Sequence, residues 1–336
     1  MNPISSLPVT SVSRSNPKKD QTENGPLLSI VITSFTMARA RDLAEGLEGV
    51  KNQTYRRIET FVIIEKSQKL FEYAKNFAER IKLEKAQIFF SKTEEGMSGG
   101  RNVGIEKARG DIIAFIDDDA KPFPDWAQQM VKTYEDNSII GVIGGVIPSW
   151  EDESMNWFPE EFYWLIGCTA SMGLNTITDV RNVWGTNMSF RKEAFELCGS
   201  FTTKFGLQLG GKKGWHDPPS EDVDFSLRVR KATGKRIVFN PLAQVAHKIT
   251  ADRLRWRFII RRACSVGYQR RMIKTLYANY PVGDLLGPEH DLLKRVFSRL
   301  LSQTLKNFFK SPRIALRTFG LTLVILFSVA LGYLLP

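Results

Sequence analysis

Three consecutive aspartates, Asp117, Asp118 and Asp119, follow an apolar run and are the residues of this chain best suited to chemistry. If the strand predicted there continues through them, alternation places Asp117 and Asp119 on one face and turns Asp118 away. Ligands of open α/β sheets bind at the carboxyl ends of strands, where this cluster lies. Two converging carboxylates repel each other unless a cation lies between them, and oxygen donors favour Mg²⁺ or Mn²⁺, which bridge to phosphate. The sequence therefore predicts a divalent metal site for a phosphorylated ligand.

A glycine-rich stretch, Gly96-Met97-Ser98-Gly99-Gly100-Arg101, stands one short helix and one strand before the aspartates. Glycines allow a ligand to approach the backbone closely, and they open a helix whose first turn carries Arg101. A helix N-terminus together with an arginine suits a diphosphate. The stretch therefore predicts a loop that binds the diphosphate beside the metal.

The elements that must position these residues alternate regularly between strand and helix. Apolar runs predict strands at Leu28–Phe35, Thr60–Ile64, Gln87–Phe90 and Asp111–Ile116, and helical spacing predicts helices at Arg39–Gln53, Phe71–Ile81 and Arg101–Ala108. This order is typical of a parallel α/β sheet with Rossmann-like winding. Further along, Val142–Ile147 and Ile237–Phe239 are predicted strands, Glu221–Lys231 is a predicted helix, and aromatic loops lie between them. A nicotinamide dehydrogenase of the same winding needs Gly-x-Gly-x-x-Gly after the first strand, and Ser34-Phe35-Thr36-Met37 contains no glycine.

The stretch GMSGGRNVGIEKARGDIIAFIDDDAKP resembles the central block of family 2 glycosyltransferases, in which a helix opening with Arg-Asn precedes an Asp-x-Asp strand. Three further stretches match the family in order: Gly185–Arg191, Ser220–Phe225 with its Glu-Asp pair, and Val245–Lys248 around His247. The resemblance covers roughly residues 28–250. It implies the GT-A fold, in which a Rossmann-like nucleotide-binding half packs on an acceptor-binding half, and an inverting transfer from a nucleotide sugar.

The resemblance also implies roles for individual residues. The metal ligands would be Asp119 and His247, and the cofactor Mg²⁺ or Mn²⁺. The sugar and acceptor pocket would include Gly185, Thr186 and Asn187. The residues expected to bind the nucleotide sugar are Thr33, Ser34, Glu65, Arg101, Asp117 and Asp118.

Inverting transfer needs a carboxylate that takes the proton of the attacking hydroxyl, and Asp222 at a helix start is the candidate base. Glu221 is the alternative, because sequence alone does not rank two adjacent residues. The acceptor is expected to be a hydroxyl of a lipid-linked or polysaccharide substrate. In the alternative of a polyprenyl-phosphate glycosyltransferase, the acceptor is a phosphate, which is already deprotonated and needs no base.

Two departures from the family pattern affect the prediction of which nucleotide the donor carries. The family's first strand commonly ends in Pro-Thr-Tyr-Asn-Arg, where this chain has Thr33-Ser34-Phe35-Thr36-Met37. Its second strand usually ends in an aspartate that holds uracil, where this chain offers Glu65. The pattern favours a UDP-sugar over a GDP-sugar and leaves both open.

The net charge of +11 is concentrated in the C-terminal third. Arg253–Gly283 contains no acidic residue and mixes arginines with aromatic residues, as interfacial helices do. Thr318–Leu335 is uncharged, is long enough to cross most of a ~30 Å hydrocarbon core, and follows Arg313 and Arg317. The positive-inside rule then predicts a single C-terminal anchor with the catalytic domain on the cytoplasmic side.

The predicted organisation has four parts. Residues 1–26 form a disordered leader; 27–250 form the catalytic domain, divided into a nucleotide-sugar half (27–120) and an acceptor half (121–250); 251–317 form basic amphipathic helices on the membrane surface; and 318–335 form the transmembrane helix. The basic composition also suits a nucleic-acid-binding protein, but the charge lies beside the apolar tail and the chain carries none of the usual nucleic-acid-binding signatures. The predicted partners are a nucleotide sugar, a lipid-linked or saccharide acceptor and a membrane, and no nucleic acid.

Overall fold

The computed structural model describes residues 25–92, 95–203, 221–278, 285–300, 302 and 311–334. The strands are β1 Leu28–Ser34, β2 Ile58–Glu65, β3 Ala86–Ser91, β4 Ile112–Asp117, β5 Ala120–Pro122, β6 Ile139–Trp150, β7 Thr178–Asp179, β8 Asn187–Arg191 and β9 Arg236–Ile249. The helices are α1 Ala40–Lys51, α2 Gln68–Arg80, α3 Gly96–Lys107, α4 Trp126–Thr133, α5 Lys192–Cys198, α6 Glu221–Thr233, α7 Trp256–Leu276, α8 Gly287–Arg295 and α9 Pro312–Leu334. Each strand and helix predicted from the sequence is present; most bounds shift by a few residues, and β9 continues from the predicted end at Phe239 to Ile249.

One sheet runs through the described part of the chain in the order β3–β2–β1–β4–β8–β6–β9–β5, and β7 pairs with β9 beside this path. The first four strands are parallel, which confirms the predicted Rossmann-like half. Strand β8 is antiparallel to both β4 and β6, and β5 is antiparallel to β9. The sheet therefore continues without a break from the parallel strands into the strands of the predicted acceptor half.

The parallel strands are covered on both faces, as their continuous apolar sequences require. Ile30 and Ile32 of β1 face one hydrophobic cluster, which includes residues of α1, α2 and α4. Val31 faces the opposite cluster, which is rich in phenylalanine and includes Phe115 and Phe225. This alternation holds β1 rigidly, so that the residues following it have a fixed position.

Helix α3 corrects the prediction of a glycine loop. The helix begins at Gly96, so the glycines belong to its own turns. A Cβ atom added to Gly104 would lie 2.3 Å from Val31 Cγ1, and one added to Gly100 would lie 3.1 Å from Thr33 Cγ2. Glycine is needed at these positions because α3 packs closely on β1. The close approach that these glycines permit is therefore between the helix and the strand, whereas the sequence had predicted an approach of a ligand to the backbone.

The aromatic segment between β6 and β7 was predicted as loop and instead forms short 3₁₀ turns at Glu153–Trp157, Glu160–Ile166 and Thr169–Met172. Phe158 and Phe162 of this segment are buried in the main core. The segment therefore packs on the main hydrophobic core next to β6.

The C-terminal helices pack against the catalytic domain and against each other. Ile259 of α7 and Ile325 of α9 both belong to the main core. Where α7 and α9 cross, a Cβ added to Gly267 would lie 2.0 Å from Val329 O, and one added to Gly332 would lie 1.9 Å from Cys264 O. Only glycine fits at these two positions, which lets the helix backbones touch.

Helix α9 begins at Pro312, before the predicted start at Thr318. Within the described residues it is the one helix long and apolar enough to cross a membrane, with a mean hydropathy of 2.1. One side packs on the catalytic domain, while Phe327 and Leu334 on the other side are exposed. The leader predicted for residues 1–26 lies, up to residue 24, outside the described residues.

Candidate functional site

A cavity of about 1070 Å³ opens at the carboxyl ends of β1, β2 and β4. This is where ligands of open α/β sheets bind. The residues predicted from the sequence that line it are Thr33, Ser34, Glu65, Asp117, Asp118, Asp119, Thr186 and His247. Most of the predicted site therefore converges on one volume.

Asp119 and His247 face each other across two paired strands. Ala120 of β5 is opposite His247 of β9, and Lys248 N donates to Asp119 O at 2.9 Å. The pairing brings His247 Nε2 to 3.3 Å from Asp119 Oδ1, with both side chains buried. The two residues predicted to bind a metal are therefore neighbours in the structure, and metal binding by them stays a prediction.

Arginine side chains reach the other oxygen of the same carboxylate. Arg39 Nη1 lies 2.7 Å and Arg253 Nη2 lies 3.0 Å from Asp119 Oδ2. Burial alone would raise the pKa of Asp119, but His247 and the two guanidinium groups outweigh it and hold that pKa well below its usual range. The carboxylate is therefore ionised throughout the physiological pH range.

The other two aspartates correct the prediction that Asp118 points away. Strand β4 ends at Asp117 and a turn follows, so alternation no longer applies and all three side chains line the cavity. Ser34 Oγ donates a hydrogen bond to Asp118 Oδ2. Burial, with the neighbouring charges of Asp119 and Asp117, raises the pKa of Asp118 to about 7. Asp118 is thus a carboxyl group that can hold a proton near neutral pH.

Arg101 connects the aspartate strand to the Glu-Asp helix. Its Nη2 donates to Asp117 Oδ1 at 2.9 Å and to Gly185 O at 3.1 Å, and its Nη1 donates to Glu221 Oε1 at 2.5 Å. The arginine is 2 % exposed and is not among the residues lining the cavity. In this structure Arg101 positions acidic residues, and diphosphate binding by Arg101 stays a prediction.

Glu221 and Asp222 open helix α6, with different partners. Asp222 accepts hydrogen bonds from Gly185 N and from Val223 N, both at 2.8 Å. Glu221 pairs with Arg101, and burial raises the pKa of its carboxyl group. Neither acid is among the residues lining the cavity: Glu221 is linked to the cavity residue Asp117 through Arg101, and Asp222 bonds to Gly185, next to the cavity residue Thr186. The structure leaves the choice between the two acids open.

The predicted sugar pocket at residues 185–187 is present only in part. Thr186 lines the cavity. Asn187 is fully buried: its Oδ1 accepts from Trp126 Nε1 at 2.9 Å and its Nδ2 donates to Gly145 O and Ala243 O. The prediction for Asn187 is therefore wrong, because its amide holds neighbouring segments together inside the core and cannot reach a ligand.

Residues 29–199, about half of the chain, match the model of the family described as glycosyl transferase family 2. The chain belongs to this family. A glucosyl-dolichyl phosphate glucuronosyltransferase of Haloferax volcanii is 29% identical over 91% of this chain and 94% of its own length. The glycosyltransferase AglE of the same organism is 27% identical over 60% of this chain and 64% of its own length. The protein is thus a glycosyltransferase.

Solved structures confirm the GT-A fold of the glycosyltransferase. The mannosyltransferase PcManGT from Pyrobaculum calidifontis, in complex with GDP-Man and Mn²⁺, superposes with a TM-score of 0.59 at 15% identity, over 93% of this chain and 88% of that one. GalNAc-T7 with UDP, GalNAc and Mn²⁺ gives a TM-score of 0.51 at 16% identity, over 81% of this chain and 54% of that one. At such identities the likeness establishes the fold alone.

The donor atoms at Asp119 and His247 are compatible with a divalent ion. A metal about 2.1 Å from each ligand places adjacent octahedral ligands about 3 Å apart, close to the 3.3 Å between Asp119 Oδ1 and His247 Nε2. Among the described residues, no three His, Cys, Asp or Glu side chains converge on one point. Mg²⁺ commonly takes one or two carboxylates and completes its shell with substrate phosphates and water, so the two protein ligands suffice when a diphosphate is present.

Four cationic residues that line the cavity were not predicted to belong to the site: Arg39 and Lys248 had no predicted role, and Arg261 and Arg262 were predicted to lie on the membrane surface. Lys248 Nζ lies 2.5 Å from Asp42 Oδ1, and Arg39 reaches both Asp42 and Asp119. The family's first-strand motif ends in an arginine, and Met37 stands at that position in this chain. Arg39 follows two positions later, so the motif could have pointed to it. The other three come from β9 and α7, and only the fold brings them to the carboxyl ends of β1 and β4.

Proposed function

We propose that this family 2 glycosyltransferase transfers a sugar from a nucleotide sugar to a hydroxyl of a lipid-linked or saccharide acceptor, with inversion and with help from Mg²⁺ or Mn²⁺. The observation that carries the proposal is the Asp119–His247 pair, buried at the carboxyl end of the sheet in a cavity whose rim carries several guanidinium groups. Carboxylate and imidazole ligands suit the metal, and guanidinium groups suit the diphosphate.

Each group has a part in the reaction. The metal, when bound, would be held by Asp119 and His247 and would offset the charge developing on the leaving diphosphate. Arginines of the rim would bind the same phosphate oxygens. Asp222, or alternatively Glu221, would accept the proton of the attacking hydroxyl. Arg101 would hold Glu221, and with it the start of α6, at a fixed distance from Asp117, because its guanidinium group bonds to the carboxylates of both residues.

For the donor we propose a UDP-sugar ahead of a GDP-sugar. Glu65 ends β2 at the cavity, beside Thr33, at the position where the family usually places a uracil-binding acid. The cationic rim also suits a sugar that carries a carboxylate, such as the glucuronosyl group named for the relative from Haloferax volcanii.

For the acceptor we propose a lipid-linked saccharide. A second cavity, of about 510 Å³, lies between the aromatic segment, α8 and α9, and it is lined by Phe162, Ile325 and Val329. Its apolar wall belongs to the helix that is long enough to enter a membrane, so a lipid chain could reach it. The buried guanidinium groups of Arg181 and Arg270 share the carboxylate of Glu289 at the same cavity.

A donor and acceptor screen tests the function. The full-length protein in detergent is incubated with UDP-glucose, UDP-glucuronate and GDP-mannose, each with Mn²⁺, Mg²⁺ or EDTA, and release of nucleoside diphosphate is measured. We expect release with one UDP-sugar only when a metal and a polyprenyl-phosphate-linked monosaccharide are both present. Equal transfer to bare polyprenyl phosphate would favour the phosphate-acceptor alternative. Full activity in EDTA would contradict the metal-assisted function.

We further propose that α9 is a single C-terminal anchor and that the catalytic domain faces the cytoplasm. Arg313 and Arg317 precede the apolar part of the helix, and nucleotide sugars are expected on the cytoplasmic side. A tag placed after Pro336 should be protected from protease in inside-out vesicles. Deleting residues 318–336 should leave a protein that high salt releases from membranes, whereas the intact chain should require detergent. Full-length protein in the salt wash would show that α9 is a core helix.

A further inference from the structure

The side chain of Arg253 lies between the two residues expected to bind the metal. Its Nη2 is 3.0 Å from Asp119 Oδ2, and its Nη1 is 3.2 Å from His247 Nε2. A guanidinium N–H can only donate, so Arg253 bonds to His247 Nε2 when that nitrogen carries no proton, which is also the form of histidine that binds a metal. In that form of His247, one internal cation contacts both residues expected to bind the metal.

A divalent ion needs lone pairs of the same two residues. It would bind Nε2 of His247, and a guanidinium nitrogen of Arg253 already lies 3.2 Å from that atom. Two cations would also repel each other strongly at such a short distance. Arg253 must leave before the metal can bind.

Arg39 also contacts Asp119, but unlike Arg253 it does not need to move before a metal binds. It contacts Asp119 Oδ2 at 2.7 Å and also Asp42, and no contact with His247 is seen. Asp119 Oδ1, the oxygen nearest His247, remains outside this pair. Arg39 can thus stay in place and neutralise part of the carboxylate while the metal uses Oδ1 and Nε2.

Arg253 can leave without disturbing the core. It belongs to the short 3₁₀ turn Ala251–Leu254, which contains no buried residue. Its side chain lines the donor cavity together with Arg261 and Arg262 of α7. We expect rotation about its side-chain bonds to bring the guanidinium from Asp119 toward the part of the cavity that Arg261 and Arg262 line, where a diphosphate would bind.

We propose that Arg253 occupies the metal position until a nucleotide sugar arrives, and then binds the diphosphate of that donor. The diphosphate draws the guanidinium away from Asp119 and His247, and it supplies oxygen ligands for the metal that replaces Arg253. Metal and nucleotide therefore bind with positive coupling, and Arg253 carries part of this coupling. The inference rests on the proposed nucleotide-sugar donor and adds the order in which the site is filled.

Binding of Mn²⁺, measured without any turnover, tests this. Free Mn²⁺ is followed by electron paramagnetic resonance while full-length protein in detergent is titrated, alone and with saturating UDP or GDP. Coupling of this kind is typically about 5- to 150-fold, so the nucleotide should tighten Mn²⁺ binding by a factor in that range. In Arg253→Gln we expect nucleotide-free Mn²⁺ binding about 5-fold or more tighter than in the wild type, and a smaller effect of the nucleotide.

Two further variants control the experiment. Arg261→Gln removes a cation that lines the same cavity but has no described contact with Asp119 or His247, so its nucleotide-free Mn²⁺ affinity should stay within about 2-fold of wild type. Arg253→Lys keeps a competing charge and should restore most of the wild-type coupling. Thermal unfolding of each variant checks that the fold is intact.

The possible results separate this inference from the proposed function. Nucleotide-stimulated Mn²⁺ binding with the same nucleotide-free affinity in wild type and Arg253→Gln would overturn the inference alone. Equal tightening in Arg261→Gln and Arg253→Gln would also overturn it, because the effect would then be general electrostatics. Absence of Mn²⁺ and Mg²⁺ binding with either nucleotide would overturn the metal-assisted function and this inference with it.

Discussion

The two ends of the parallel half-sheet each hold a buried carboxylate beside an arginine, but they hold it differently. At the amino end Glu59 accepts from Ser29 Oγ at 2.6 Å, from the main-chain nitrogen of Arg109 at 2.8 Å and from its guanidinium at 2.8 and 3.0 Å. At the carboxyl end the side chains holding Asp119 all line a cavity. Glu59 at the amino end is held partly by a main-chain N–H group. The side chains that contact Asp119 at the carboxyl end can instead give up this contact when a ligand binds.

This difference separates a carboxylate that stabilises the fold from one available for chemistry. Ser29, Glu59 and Arg109 join β1, β2 and the loop before β4 in a closed network. Removing Glu59 should therefore cost stability, and removing Asp119 should cost activity. Five substitutions in four experiments test the comparison, first those expected to remove activity and then those expected to lower stability.

Asp119→Ala should lower turnover by at least about 10²–10³-fold, because a metal ligand is lost and the charge on the leaving diphosphate is no longer offset. The melting temperature should change little, because Arg39 and Arg253 face the cavity and can be hydrated. Release of nucleoside diphosphate and thermal unfolding measure the two effects. Normal turnover by Asp119→Ala in excess EDTA would show that the carboxyl end holds no catalytic metal.

Asp222→Asn should lower kcat by about 10²–10⁴-fold if Asp222 is the base, with donor affinity nearly unchanged. Glu221→Gln, measured beside it, gives the same result if Glu221 is the base. These two variants extend the comparison to the carboxyl end of the sheet. Glu221 is linked to that end by a hydrogen bond from Arg101, and Asp222 by a hydrogen bond from Gly185 N. Full activity in both variants would point to a phosphate acceptor, and a loss confined to donor KM would assign Asp222 to binding.

Glu59→Gln should lower the free energy of unfolding by about 1–3 kcal/mol and leave turnover intact, because donors at the amino end lose their acceptor. Burial alone would raise the pKa of Glu59, but hydrogen bonds from Ser29 and Arg109 outweigh it and lower that pKa. The stabilisation is thus present above the unfolded pKa of about 4.3 and is lost as the pH falls through the folded value. Denaturant unfolding at pH 7 and near pH 4 should show the difference between wild type and variant shrinking in acid.

Arg109→Ala should have the smallest effect, below about 1 kcal/mol, because its side chain is 73% exposed and exposed ion pairs contribute little. Glu59 keeps its bonds to Ser29 Oγ and to the main-chain nitrogen of residue 109. A loss as large as that of Glu59→Gln in the same unfolding experiment would mean that the guanidinium, and not the backbone, holds the amino-end network together.

The sequence was sufficient to predict the parallel half and the aspartate cluster, because both depend on local patterns. Apolar runs define β1, β2 and β4, and the carboxyl end of β4 follows from the last apolar residue before Asp117. The orientation of Asp118 could not be predicted, because it depends on where the strand ends.

Other parts of the site depend on contacts between distant segments. Asn187 carries the amide that a sugar pocket would need, but the indole of Trp126 and carbonyls far away in the chain take up its hydrogen bonds. Arg253 looked like one of many arginines in a basic run, and only the pairing of β5 with β9 brings it to Asp119. Patterns along the chain do not encode such contacts.

The glycine crossing of α7 and α9 has a mechanical consequence. Gly267 and Gly332 let the two backbones touch, so α9 cannot tilt or slide independently of α7. Helix α7 carries Arg261 and Arg262 on the wall of the donor cavity. If α9 lies in a bilayer, as proposed, a change in bilayer thickness or lateral pressure that reorients α9 would therefore displace those guanidinium groups, and the shape of the proposed donor cavity would depend on the physical state of the lipid.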